Sequence, residues 1–240
     1  MQFTKKRLGI FNFYKILGKK YINAINRQEY VNPPFKEFNE RPVEYRFVFE
    51  QISKLYPKKI LDVGTGVTAL PHLMANCGCN VTAIDNIKDY WRKEMFNRHF
   101  YVINDDITDI KIEDTFDLIT CISTLEHIEK YEQAIDNMFN LLKTGGHIIL
   151  TFPYSENKFI DNVYVLPGSC VGKELSFKTH SFSRNELDNW TRKNNGTIVK
   201  QEYWQFFSGN FWTVGEEMPI PKQVTKTEKH QISCILIKKQ

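Results

Sequence analysis

Apolar positions in the first quarter of the chain recur at helical intervals, and from Lys59 onward they gather in short runs of strand length. Ile10, Tyr14, Leu17, Tyr21 and Ile25 are spaced by three or four residues, which predicts one face of an amphipathic helix. "NPPF" at 32–35 breaks that helix. A second helix is predicted over 43–55, with Tyr45, Phe49, Ile52 and Leu55 as its stripe and Pro57 closing it. Strands are then predicted near 59–63, 80–84, 100–103, 116–121 and 146–152, with helices over 68–77, 88–97 and 131–143. Alternation of this kind marks an α/β domain with a mostly parallel sheet. Residues 153–182 form a long irregular stretch after a strand end, where open α/β sheets bind ligands. Ser183 followed by Glu186 is a capping box that starts a further helix. "GTIVKQEYW" and "QISCILIKKQ" read as closing strands.

Composition adds little to the class and something to the partners. At 240 residues, 42% hydrophobic and 25% charged, the chain has material for one generous core. The net charge of +4 is uneven, because residues 1–28 hold seven Lys/Arg and no Asp or Glu. The body is therefore slightly acidic, and the basic leader is either a solvated helix face or a contact for a phosphate-bearing substrate, a nucleic acid or a membrane surface. The five cysteines lack metal-knuckle or disulfide-framework spacing, which suggests reduced thiols and a cytoplasmic setting.

"ILDVGTGVTAL" at 60–70 sits between the first strand and the next helix and admits two cofactors. Read as G-x-G-x-x-A (Gly64, Gly66, Ala69) it is a dinucleotide turn; read from Asp62 as D-x-G-x-G it holds S-adenosylmethionine. Asp85, 21 residues after Gly64, ends the second strand and can accept from both hydroxyls of a ribose, which either cofactor carries. Asp62 discriminates, since a carboxylate there repels a pyrophosphate and suits an ammonium or sulfonium. "INDDITDI" then supplies Asp105 and Asp106 where an adenine edge would lie.

The ordered set "ILDVGTG", "VTAID", "DDITD", "FDLITCISTLEHI" and "LLKTGGHIILTFPY" resembles the class I S-adenosylmethionine-dependent methyltransferases, in the small-molecule branch with an L-E-H-I turn. The resemblance covers about residues 43–152 and implies a Rossmann-like three-layer sandwich. Its seven-stranded sheet would be mostly parallel with an antiparallel last strand. It implies cofactor roles for Asp62, Gly64, Thr65, Gly66, Asp85, Asn86, Asp106, Ile107, Ile122 and Ser123. Residues 1–42 would form a helical cap on a methyltransferase domain of 43–240, with a substrate lid at 153–182. Ser123 stands where some quinone-pathway members place a metal-binding Glu, which disfavours a metal site.

Methyl transfer to a hydroxyl needs orientation and a proton acceptor. His127 of the L-E-H turn, His180 in the lid and Tyr154 after the fifth strand are the candidate base and acceptor contacts. The expected reaction is O-methylation of a sugar-derived or other secondary metabolite, with no nucleic-acid partner. An NAD-dependent oxidoreductase and a non-catalytic cofactor-binding partner are the alternatives.

Overall fold

A computed structural model describes residues 2–32, 39–170 and 177–240, with residues 2–11 and 29 described by backbone alone. The proline pair at 33–34 lies outside the described residues, as do 171–176 of the expected lid. The chain divides into two units, Met1–Arg41 and Pro42–Gln240.

The first unit carries one long helix, α1 (Gln2–Val31). Tyr14, Leu17 and Tyr21 of its expected stripe are exposed, Ile25 is half-buried, and the Ile10 side chain lies outside the described set. No described helix is long and apolar enough to cross a membrane.

α2 (Arg41–Leu55) leads into the second unit, which runs through β1 (Lys59–Val63), α3 (Leu70–Asn76), β2 (Asn80–Asp85), α4 (Ile87–Tyr90) and β3 (Val102–Asn104). It continues with β4 (Phe116–Ile122), α5 (Tyr131–Leu141), β5 (Leu142–Pro153), α6 (Arg184–Lys193), β6 (Gly196–Phe207), β7 (Glu217–Val224) and β8 (Ile232–Lys239). The sheet order is β3-β2-β1-β4-β5-β8-β6-β7. The five strands from β3 to β5 are parallel, and β8 inserts antiparallel between β5 and β6. This is the Rossmann-like sandwich with its reversed C-terminal strand, and β7 adds an eighth strand at the edge.

Both faces of the central strands are buried, which is why they read as continuous apolar runs. Ile60, Leu118, Ile149 and Leu236 pack with α2 and α3 on one face. Their neighbours Leu61, Ile119, Ile148, Leu150, Ile235 and Ile237 pack with α5 and α6 on the other. The capping box forms at α6, where Ser183 accepts from Asn185 N and Glu186 accepts from Ser183 N.

Two expected elements differ. The face of α2 buried against the sheet is Val43, Phe47, Val48 and Ile52, with Tyr45, Phe49 and Leu55 at its margin. The face also carries Glu44 and Gln51, and polar residues at buried positions hid its true centre. The helix expected over 88–97 stops at Tyr90. Farther on, the Asn97 side chain organises a turn, accepting from His99 N (2.8 Å) and Phe100 N (2.9 Å), which competes with helix.

Candidate active site

The C-terminal ends of β1, β2 and β4 meet at the glycine loop. Gly64 has φ +71°, and a Cβ there would lie 2.0 Å from Thr124 Cγ2, so no side chain fits. Thr124 Oγ1 donates to Gly64 O (3.1 Å), tying the loop to the end of β4. Gly66, at φ +56°, faces open space instead, with no other atom of the described residues within 4 Å of where a Cβ would sit. Room beside a backbone amide is what a ligand-cradling turn provides.

Asp62 is buried, and its two carboxylate oxygens accept from Thr120 Oγ1 and Thr65 Oγ1, both at 2.6 Å. It therefore pins Thr65 and the loop against β4. Asp85 accepts from Gly66 N at 2.7 Å. Its partial burial pushes the carboxyl above the ordinary range, against hydrogen bonds from Gly66, Trp91 and Asn86 that pull it down.

Asp106 caps a short turn at Ile107–Asp109, accepting from Thr108 N and Oγ1, while its second oxygen accepts from Asn86 Nδ2 at 3.0 Å. Asn86, Asp106 and Asp85 thus share one rim. Ile107 is buried, and its carbonyl accepts from Asn137 Nδ2 (2.8 Å). Asp105 faces inward and holds the backbone N–H groups of Lys111 and Ile112. Asn97 donates to Gly66 O and Thr68 O, both at 2.9 Å, and clamps the loop from outside. Sequence reasoning missed Asn97, because its role comes from a turn 31 residues away in sequence.

At the end of β4, Ile122 is buried and Ser123 takes a left-handed backbone, φ +44°. The Ser123 hydroxyl donates to Glu44 Oε1 at 2.5 Å, and Thr151 Oγ1 donates to the same oxygen at 2.6 Å. Glu44 is fully buried and was not among the sequence-level candidates. A lone acidic residue on a helix carries no sequence signal for a contact 79 residues downstream.

The L-E-H turn (Leu125–His127) is gripped by residues 177–180. Glu126 O accepts from His180 N (2.8 Å), and His127 Nδ1 donates to Lys178 O (2.9 Å). Phe177 packs edge-on against the His127 ring at 4.9 Å between centroids. His180 is buried against Tyr131, Phe159 and Phe182; its Nδ1 donates to Asp161 O, while Nε2 is buried with no hydrogen-bond partner among the described residues. The structure thus brings His127 and His180 to one turn. Tyr154 lies apart, fully buried, donating to Glu156 Oε2 (2.9 Å) and stacked on His230. Burial pushes its phenol well above the ordinary value.

The open space at Gly66, the half-exposed Asp85 and the acidic rim fit a ligand with ribose hydroxyls and positive charge better than one with a pyrophosphate. Residues 38–201 match the family model described as a methyltransferase domain. The chain belongs to the class I S-adenosylmethionine-dependent methyltransferases. S-adenosylmethionine is accordingly its cofactor, and the oxidoreductase alternative falls.

Among relatives, the methyltransferase is 31% identical over 143 residues to the ubiquinone biosynthesis O-methyltransferase of Vibrio parahaemolyticus, covering 55% of this chain and 60% of that protein. The enzyme of that name from Glaesserella parasuis is 27% identical over 189 residues, covering 71% of this chain and 79% of the relative. In fold, the methyltransferase is similar to N-methyltransferase NodS from Bradyrhizobium japonicum in complex with S-adenosylhomocysteine. There the TM-score is 0.54 at 14% identity, covering 91% of this chain and 97% of that one. It is also similar to the 1,6-didemethyltoxoflavin-N1-methyltransferase of Burkholderia thailandensis, with a TM-score of 0.55 at 14% identity, covering 95% and 89%.

Proposed function

We propose that the methyltransferase acts on a hydroxyl of a small, largely apolar acceptor, with His127 as the proton-accepting residue. The observation that carries this is the grip of 177–180 on the L-E-H turn, which fixes the His127 ring at the end of β4. A carbonyl only accepts, so Nδ1 carries the ring hydrogen and Nε2 of neutral His127 bears the lone pair. An imidazole oriented in this way can take the proton that a hydroxyl loses on methylation.

Bound S-adenosylmethionine supplies a methyl group already activated by its sulfonium. What remains for the chain is placement and exclusion of water. Asp85 and Asn86 would hold the ribose, the Asp106–Ile107 edge the adenine, and Gly64–Gly66 with Asp62 the amino-acid end. Ile122 and Ser123 would border the methyl group. Tyr131, Phe159, Phe177 and the buried His180 form an aromatic cluster behind the L-E-H turn. An acceptor seated beside that cluster would be an apolar ring rather than a sugar. The relatives named as O-methyltransferases of ubiquinone biosynthesis support a hydroxyl acceptor. We assign the catalytic part to residues 43–240, with 153–182 covering the acceptor. Tyr154 serves this part as a packed anchor, since a buried phenol donated to Glu156 is a poor base.

An acceptor screen with methyl-labelled cofactor tests the proposal. Label should pass to hydroxyl-bearing aromatic or apolar acceptors. Transfer only to amines, or no transfer across hydroxyl acceptors, overturns it.

A further inference from the structure

We propose that α1 is an interfacial helix that docks the chain on an anionic bilayer surface. The argument starts from its exposed side chains. Phe13, Tyr14, Leu17 and Tyr21 are 57%, 65%, 46% and 64% exposed. At about 100° per residue these four fall within roughly one-third of the helix circumference. Ile22 extends that side and Ile25 lies within it. Lys19 and Arg27 stand on the opposite side and Lys20 at its edge, all exposed, with Asn12, Asn23 and Asn26 between them. Among the described side chains, Ile16 and Tyr30 are the apolar ones on the basic side.

A helix with an apolar, aromatic half and a cationic half lies in the plane of a membrane interface. The apolar half enters the acyl boundary while lysines reach up to the headgroups. The interrupted apolar content forbids spanning. Charge decides the occupant. Residues 1–28 are basic without a single carboxylate, which complements anionic headgroups and repels a second copy of the same helix. A nucleic acid would satisfy the lysines but leave the aromatic face in water, at a cost that grows with the apolar area exposed.

The test is flotation of the full-length chain with vesicles of phosphatidylcholine alone, or mixed with phosphatidylglycerol. The chain should float with the mixed vesicles, less so as salt rises, and only weakly with the neutral ones. The variant Lys19→Gln/Lys20→Gln/Arg27→Gln should bind mixed vesicles about a hundredfold more weakly, at roughly fivefold per basic residue. The variant Phe13→Ser/Leu17→Ser/Tyr21→Ser should lose binding altogether. The substituted side chains are exposed, so S-adenosylhomocysteine should bind both variants as it binds the parent chain. That measurement separates lost docking from lost folding. The proposal is overturned if the chain fails to float with anionic vesicles, if it binds neutral vesicles equally well, or if the serine variant binds undiminished. It is also overturned if α1 instead drives a dimer, or RNA binding, without vesicle binding.

Discussion

The Glu44 carboxylate on α2 accepts the Ser123 hydroxyl at 2.5 Å, joining a helix ahead of the glycine loop to the end of β4. Ser123 holds a left-handed backbone there, a conformation that a serine keeps only when its surroundings enforce it. Glu44 therefore positions the strand end that would border the transferred methyl group. Glu44→Ala leaves two hydroxyls, of the half-buried Ser123 and the buried Thr151, without their acceptor, and should cost about 2–4 kcal/mol of stability. Glu44→Gln keeps an acceptor oxygen and should recover most of that loss. Thermal unfolding of the two variants, with cofactor titration of each, checks this; equal behaviour of Ala and Gln would refute it.

The two loop glycines should fail in different ways. Gly64→Ala drives a methyl group into Thr124 and adds left-handed strain, so it should cost at least about 3 kcal/mol and show as a large drop in Tm. Gly66→Ala meets no other atom among the described residues and should cost only about 1–2 kcal/mol of backbone strain. Its added methyl group occupies the cradle, so cofactor affinity should fall at least about tenfold. Melting curves and cofactor titrations on both variants give the comparison.

Asp85 sets stability against binding. Desolvation holds its carboxyl above the ordinary value of 3.8 in the folded chain. Its contribution to stability is therefore complete below that value and is lost as pH rises through the raised one. Asp85→Asn, neutral throughout, should melt higher than the parent at neutral pH and lose this dependence. The same substitution removes the charged acceptor for ribose hydroxyls and should weaken cofactor binding about tenfold to a hundredfold. A variant that melts lower and binds equally well would contradict both halves.

The central strands were legible because burial on both faces leaves continuous apolar runs, and Lys59–Val63 was read to the residue. Ser183 and Glu186 announced α6 through chemistry confined to four adjacent positions. What stayed hidden came from distant contacts. Glu44 is one acidic residue among many until β4 and β5 bring two hydroxyls to it. Asn97 looked like the end of a helix, and its bonds to Gly66 and Thr68 exist only in the folded chain. β7, with the pattern "EMPIPKQV" and two prolines, carries the edge-strand signature that demotes a run in any sequence reading.

His127 is tested by separating chemistry from binding. His127→Ala should lower kcat about a hundredfold to ten-thousandfold and leave cofactor affinity at the parent value. His127→Asn, which can still donate toward Lys178 O, should restore the position of the lid end without restoring kcat. Tyr154→Phe, which removes the hydroxyl bonded to Glu156, should change stability more than kcat. Equal loss of kcat in the Tyr154 and His127 variants would count against the assignment.

Titration calorimetry of the purified chain with S-adenosylhomocysteine and with NAD tests the central claim most directly. One equivalent of S-adenosylhomocysteine should bind, with the affinity sharply reduced in Asp85→Asn, and NAD should give no heat of binding. Binding of NAD without binding of S-adenosylhomocysteine would contradict the account.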